Sequence, residues 1–440
     1  MSPQRRSFLL LEAATLVSGM GNGVAMVALP WLALELTDSA SAAGAVATAA
    51  ALPLFVASLF SGTVVDRFGR RRTAVVSDVL SLLAVAAIPV ADASVGLSIG
   101  LLMVFAAFGA AFDPAGVTAR ETLLPAAAHG AGWTLERANS VHEAVWNVAF
   151  LVGPGIGGLL IATIGAASTL WVTAAGFALS LTLTSRIRVP GAGVPHADER
   201  PESIWAGTVE GVRFIAREPL LRTTAILSMA VVALYLPVEG VILPTYFTEQ
   251  GQPARLGLVL MALSLGGVAG SLAYGHWGEV VAKRSAYVGA MVGVALPLFA
   301  MALLPPIGVM VALAALAGFL FGPIPPLDNY ALQTRTPEEL RGRAVGVVTS
   351  AAYAAGPIGY LLVGPLVETI GLRPTFIALS AGLVLVCLCA IPARGLRLLD
   401  EPPLFPPSPD EHWSPAHSPV PLGEQSVPVP AHPERLTTGV

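Results

Sequence analysis

GTVVDRFGRRR, residues Gly62 to Arg72, lies between two apolar runs and gathers four arginines and one aspartate in a chain that is only 12% charged. Such a cluster holds a connection on one side of a bilayer, because basic loops resist translocation. The flanking runs are each about 20 residues long, enough to cross about 30 Å of hydrocarbon at about 1.5 Å per residue. The chain has 440 residues, 55% of them hydrophobic, and the long amphipathic patterns of soluble domains are mostly missing. The expected class is an all-α, multi-span membrane protein.

Blocks of this kind recur at 8–36, 42–64, 73–91, 95–117, 139–162, 166–185, 221–248, 255–275, 285–304, 307–332, 343–366 and 372–393. Twelve is even, so both ends fall on one side. All but two of the 24 Lys and Arg residues fall on that side as well, the exceptions being Arg255 and Arg373. The positive-inside rule then makes both termini cytoplasmic, in the plasma (inner) membrane. The opposite loops carry Asp38, Asp92, Glu249 and Glu368. The basic N-terminus runs into a long apolar stretch without a small-residue cleavage site and reads as an uncleaved first span. The formal net charge of −4 says little about partners. Cys387 and Cys389, the only cysteines, can form neither a disulfide framework nor a four-ligand metal site, and no cofactor is expected.

The organisation expected is an N-terminal six-helix bundle over 1–185, a cytoplasmic central loop over 186–220, a second bundle over 221–393 and a tail over 394–440. In the central loop Trp205, Val209, Val212 and Ile215 stand near helical spacing, which predicts a helix lying at the membrane interface. The tail has eleven prolines and little to bury, which predicts disorder. The halves echo each other. Thr163-Ile164-Gly165 recurs as Thr369-Ile370-Gly371, and Arg137-Ala138 as Arg343-Ala344, both 206 residues later. Gly153-Pro154 recurs as Gly356-Pro357 after 203 residues. Duplication of this kind, with twelve transmembrane helices in two six-helix bundles related by a pseudo-two-fold repeat, is the architecture of transporters that rock two bundles about a midplane site.

Within the opening stretch Gly62 allows close helix approach and Gly69 a tight turn. Asp66 is the odd member. It can pair with Arg67 or Arg70, or cap the N-terminus of a helix in the other half, as a latch present in one conformation and broken in the other. A plain topogenic loop would need the arginines alone. The spacing G-x-x-x-D-R-x-G-R-R, at Gly62, Asp66, Arg67, Gly69, Arg70 and Arg71, is similar to the loop signature of the major facilitator superfamily. The matching loop of the second half, Gly275 to Arg284 with Glu279 and Lys283, looks like a degraded copy. GPGIGG, with Gly153, Pro154, Gly157 and Gly158, resembles part of the helix-5 motif of that superfamily's proton antiporters. Ser140 and Ala149 replace the upstream glycines of that motif. FDPAG (112–116), ERANS (136–140), REPLLR (217–222) and LRGRAVG (340–346) resemble the branch that contains macrolide efflux pumps and enterobactin exporters. The resemblance implies a major facilitator fold, with spans 1, 4, 7 and 10 lining a cavity.

An acid at mid-bilayer costs roughly 2.5–3.5 kcal/mol on insertion scales, so each one needs a reason. Glu239 is the deepest, and Tyr235 and Tyr246 share its helical face if Pro237 and Pro244 leave the helix straight. An acid between two aromatics suits a cationic amphipathic ligand or a carboxyl that carries protons; the alternative is an acid bonded to a neighbouring helix. Asp113 shares a face with Arg120, as a structural pair or a proton-coupling acid, and Pro114 is expected to disturb the helix there. Glu12 reads as snorkelling toward the cytoplasm, and Asn22 as a ligand or interhelix contact. His142 and Glu143 open span 5; a histidine beside an acid suits titration near neutrality, while a helix-end position favours a structural role. Asp328, Asn329 and Tyr330 form a gate or a cap, and Asp78 is expected to pair with an arginine of the 62–72 loop.

Three functions compete. The first is a secondary exporter of small amphipathic compounds, drugs or a native metabolite such as a siderophore, exchanging them for protons as a monomer in the bilayer. A membrane enzyme finds no support, since Walker, H-E-x-x-H and G-x-S-x-G patterns and a cysteine ligand set are all missing, and nothing suggests nucleic acid. A non-transporting receptor docking through the Pro-rich tail is opposed by the intact arginine loop and the intramembrane acids.

Overall fold

A computed structural model describes residues 3–133, 135–188, 204–278 and 280–404, which are helical and contain no strand. The helices are α1 (Pro3–Thr37), α2 (Ala40–Phe68), α3 (Arg70–Ser94), α4 (Ile99–Ala131), α5 (Leu135–Ile164), α6 (Ala166–Ser185), α7 (Ile204–Arg217) and α8 (Pro219–Pro237). They continue as α9 (Leu243–Glu249), α10 (Pro253–Trp277), α11 (Lys283–Met301), α12 (Ile307–Phe321), α13 (Ile324–Arg335), α14 (Glu338–Ile370) and α15 (Leu372–Cys389). Eleven helical segments are long and apolar enough to cross a bilayer, counting α8 with α9 and α12 with α13 as one each. The twelfth traverse is α14, a continuous helix of 33 residues whose apolar part is Ala354–Ile370. The described chain thus starts and ends at one end of the bundle, called here the terminal end; the opposite is the far end.

Local chemistry explains where the traverses depart from the sequence reading. The segment read as a loop after span 2 is the last turn of α2 and the first of α3, joined by Gly69 alone at φ 90°. L side chains rarely adopt that φ, so one glycine reverses the chain and the arginines stay helical. Pro114 does not interrupt α4, which runs on through Pro125. The Ser77 hydroxyl of α3 donates to the Phe112 carbonyl at 2.8 Å, one of the neighbouring-helix bonds that let bilayer helices carry proline. The seventh traverse contains a π turn, Val238–Ile242, between Pro237 and Pro244. The tenth breaks at Gly322-Pro323, between α12 and α13.

Packing repeats across the halves. In the first, α1 lies on α5, α2 on α4 and α3 on α6; in the second, α8 lies on α14, α10 on α12 and α11 on α15. Large apolar side chains such as Leu83, Val104, Leu272 and Leu385 point outward, as lipid contact allows. Burying apolar surface cannot drive association between helices already in lipid, so the interior relies on small residues and interhelical polar bonds.

The first residues of the segment expected to be disordered are folded. Residues 394–399 form a 3₁₀ turn with Leu396 and Leu399 buried. Asp400 accepts from the Arg284 backbone N–H at 3.2 Å, and the Leu404 N–H donates to the Thr334 carbonyl at 3.1 Å. Residues 405–440 lie outside the described residues, as does 189–203 of the central loop. Truncation after Leu404 is expected to leave the thermal unfolding midpoint unchanged. Truncation after Arg394 should lower it, because each leucine contributes about 1.5–3 kcal/mol on burial. Thermal unfolding of the purified proteins checks both.

Candidate functional site

The halves meet through α2 on α14 and α5 on α10. At the first contact a Cβ on Gly364 would stand 2.6 Å from the Ser41 Cα; at the second, a Cβ on Gly158 would stand 2.5 Å from the Pro253 carbonyl oxygen. Backbone therefore touches backbone at both seams, and any side chain would force them apart. The far end is tied further by Glu368 of α14, whose carboxylate accepts from the Ser39 hydroxyl and from the Ser41 N–H (2.9 Å) and hydroxyl (2.7 Å). These bonds hold the Glu368 carboxyl below the ordinary value of 4.5. A depressed pKa means that these bonds are fully formed above pH 4.5 and weaken only as pH falls through the lower folded value, so pH changes in the physiological range do not by themselves break them.

The helix-5 motif serves two neighbours. Gly153 and Gly157 face α1, where a Cβ would stand 3.0 Å from Gly23 Cα and 3.2 Å from Val24 Cα respectively. Gly158 faces α10 across the seam, where the Pro154 carbonyl abuts Gly257, while the Pro154 ring lies against Gly23 of α1. Of the arginine loop, Arg71 donates to the Ser185 carbonyl at the end of α6, within the same half. Arg67 is exposed and Arg70 half-buried, while the side chains of Gly62 and Asp66 lie outside the described residues, so the latch contact is not placed.

Three polar clusters occupy the first half. Asp78 of α3 pairs with Arg120 of α4 at 3.0 Å, with both side chains sealed, and not with the loop arginines. It also accepts from Ser180 (2.9 Å) and Thr184 (3.3 Å) of α6, while Arg120 donates to Ser18 of α1 at 3.1 Å. Arg120 therefore does not bond Asp113. That acid instead accepts from the Asn22 amide across α1 and α4 at 3.0 Å. Glu12 does not snorkel: it is buried, 3.2 Å from His142 Nδ1, and the Trp146 indole N–H donates to His142 Nε2 at 3.2 Å.

In the second half Glu239 sits on the π turn and accepts from the Tyr235 hydroxyl. Its second aromatic neighbour is Tyr360 of α14, whose ring would lie 2.7 Å from a Cβ on Gly240. Tyr246 packs edge-on against Phe247 at 5.0 Å. The extra residue of the π turn rotates the next helical residues by roughly 100°, which separates Tyr246 from the face of Glu239. Asp328 of α13 accepts from Ser228 of α8 at 3.3 Å and faces the buried Tyr287 hydroxyl of α11. Asn329 is exposed, and the Tyr330 ring carries the Lys283 ammonium 4.8 Å from its centroid. Exposure sorts these acids: Asp78 and Glu12 are sealed, whereas Asp113, Glu239 and Asp328 stay partly accessible. The half-buried acids have room to meet a ligand, whereas the two sealed ones are bonded to side chains of neighbouring helices.

Sequence reasoning missed Tyr360, Tyr287 and the Glu368 clamp. Ser39 and Ser41 at a helix start opposite a helix-ending Glu were the available signal for the last.

Two six-helix halves, seamed backbone to backbone, with carboxylates at mid-traverse, define a secondary-transporter fold. The chain belongs to the transmembrane secretion effector family of the major facilitator superfamily, whose model matches residues 1–426. It is a multi-pass membrane transporter and not an enzyme. It is 48% identical to the multidrug efflux pump Tap of Mycolicibacterium fortuitum, over 90% of this chain and 98% of that one. It is 26% identical to the enterobactin exporter EntS of Citrobacter koseri, over 91% of this chain and 95% of that one. The nucleoside transporter NupG shares the fold at 12% identity, with a TM-score of 0.69 over 89% of this chain and 98% of that one.

Proposed function

We propose that the protein is a proton-coupled exporter of small amphipathic compounds, working as a monomer by alternating access. Both termini are cytoplasmic in this reading, following the basic residues, so the far end is external and closed. The observation that carries it is Glu239, a half-buried carboxyl beside Tyr235 and Tyr360 at the junction of the halves. One acid among aromatic rings suits a cationic amphipath. The 48% identity to a multidrug efflux pump supports the same substrate class. Asp113 with Asn22 forms a second accessible polar site in the first half.

The test is uptake of a fluorescent lipophilic cation into proteoliposomes, across an imposed proton gradient. Gradient-dependent accumulation abolished by a protonophore is expected; accumulation indifferent to the gradient would overturn the coupling. Export of a siderophore is the second reading, favoured by the likeness to an enterobactin exporter. The metabolites secreted by a strain lacking the protein separate the two.

The arginine loop is assigned the conformational latch. Asp66→Asn leaves the basic residues that set topology and removes the charge that caps a partner helix. The mutant is expected at wild-type abundance in the membrane with transport lowered about fivefold, since one well-placed charge contributes on the order of 1 kcal/mol. Wild-type transport rates in that mutant would sink the assignment.

A further inference from the structure

We infer that Glu12, His142 and Trp146 form a proton-exchange site in the first half, separate from the substrate site at Glu239. The inference rests on the exporter reading for its use, but not for its chemistry. His142 Nδ1 lies 3.2 Å from both Glu12 oxygens, and Nε2 lies 3.2 Å from the Trp146 indole nitrogen. An indole N–H only donates, so Nε2 must accept and carries no proton. Nδ1 therefore carries the ring proton and donates it to the Glu12 carboxylate. A protonated Glu12 donating to Nδ1 is excluded, because Nε2 would then hold a hydrogen facing the indole N–H. The geometry fixes one tautomer: neutral imidazole, ionised Glu12.

That arrangement is poised for one event. A proton arriving at Nε2 converts the imidazole to imidazolium and the Glu12–His142 contact to an ion pair, while Trp146 loses its acceptor and must move. The buried pair goes from one net negative charge to none. Histidine is the side chain that ordinarily exchanges protons near neutrality. The charged groups nearest it are Glu12 from α1, its direct partner, and Glu121 from α4, which is close enough to feel the histidine's charge and which Glu143 of α5 and Arg120 of α4 also influence. Arg120 is already committed to Asp78.

The movement has a route to the seam. Trp146 stacks on Phe150 at 5.5 Å and packs against Gly19 of α1. The Phe150 carbonyl accepts from Ser264 of α10, in the other half, at 3.4 Å. Release of Trp146 thus perturbs the turn of α5 that touches α10, where the halves must part. The site is also placed for exchange with the terminal end, since Glu12 lies within three turns of the start of α1 and His142 within two of the start of α5.

The test uses full-length protein labelled with ring-15N histidine in lipid nanodiscs, with His142→Gln assigning the signal. His142 is expected as the Nδ1–H tautomer when its ring is neutral and as imidazolium once a proton is taken up at Nε2. In proteoliposomes His142→Gln and Glu12→Gln should flatten the pH dependence of gradient-driven export while retaining downhill substrate exchange. Trp146→Phe keeps the stacking but removes the opposing donor, and should change the pH profile of export relative to wild type. An Nε2–H tautomer, a ring that never takes up a proton as the sample is acidified, or a wild-type pH profile in both glutamine variants would overturn the site. If one variant fails to fold, the other and the labelled wild type decide. If the wild type transports nothing, the exporter reading fails while the tautomer and titration still judge the site.

Discussion

Arg120→Ala is expected to remove most folded protein from the membrane. The guanidinium is 1% exposed and holds Asp78, itself bonded to Ser180 and Thr184, so four helices of the first half converge on this pair. Removing the cation leaves a carboxylate in apolar surroundings with only hydroxyl donors, and breaking a buried pair typically costs about 3–5 kcal/mol. That is a large fraction of the stability an ordinary protein holds in reserve. Most of this penalty belongs to the stranded charge. Arg120→Ala with Asp78→Asn should therefore recover much of the lost protein, because the amide keeps hydrogen bonds to Ser180 and Thr184 without carrying charge. Size-exclusion profiles and unfolding midpoints of detergent-extracted protein measure both. A single mutant with the wild-type midpoint would mean that the pair does not hold the half together. A double mutant no better than the single would mean that the helices need the guanidinium's own bonds, including the one to Ser18.

The same pair shows what a sequence conceals. Apolar run lengths and the placement of arginine were sufficient to read twelve traverses, because each span is decided by its own residues against a slab of fixed thickness. Partners are decided by neighbours. Asp78 stands near the arginine loop along the chain, yet α3 lies on α4 and α6, so the nearest buried cation is Arg120, 42 residues on. Glu12 likewise looked free to snorkel until α5 brought His142 beside it. Periodicity assigns a face to each residue and is silent about which helix that face meets. It fails outright where the period changes: the π turn at Val238–Ile242 displaced Tyr246, and no hydropathy pattern marks such an insertion. Pro237 and Pro244, which bracket it, were the local hint. The start of the tail was misread for a related reason, since two leucines among prolines look too few to fold until α8 and α11 offer a surface to receive them.

Glu239→Gln is expected to separate charge from shape at the substrate site. The amide has nearly the carboxylate's size and still accepts from the Tyr235 hydroxyl, so the π turn and the packing of Tyr360 should persist. The substitution removes only the negative charge and the ability to exchange a proton. A cationic substrate then loses a charge-assisted contact worth about 1.5–3 kcal/mol, equivalent to a tenfold or greater loss of apparent affinity. A neutral substrate of similar size loses little. Proteoliposomes under one imposed proton gradient, given one lipophilic cation and one neutral amphipath, read the difference directly. Selective loss of the cation with retained pH dependence would place the proton elsewhere, consistent with the Glu12–His142 pair. Loss of pH dependence for both compounds would make Glu239 the proton carrier itself. Equal, wild-type export of both would make Glu239 a structural acid bonded to Tyr235, and Asp113, the other accessible carboxyl at mid-traverse, would become the charge that meets the substrate.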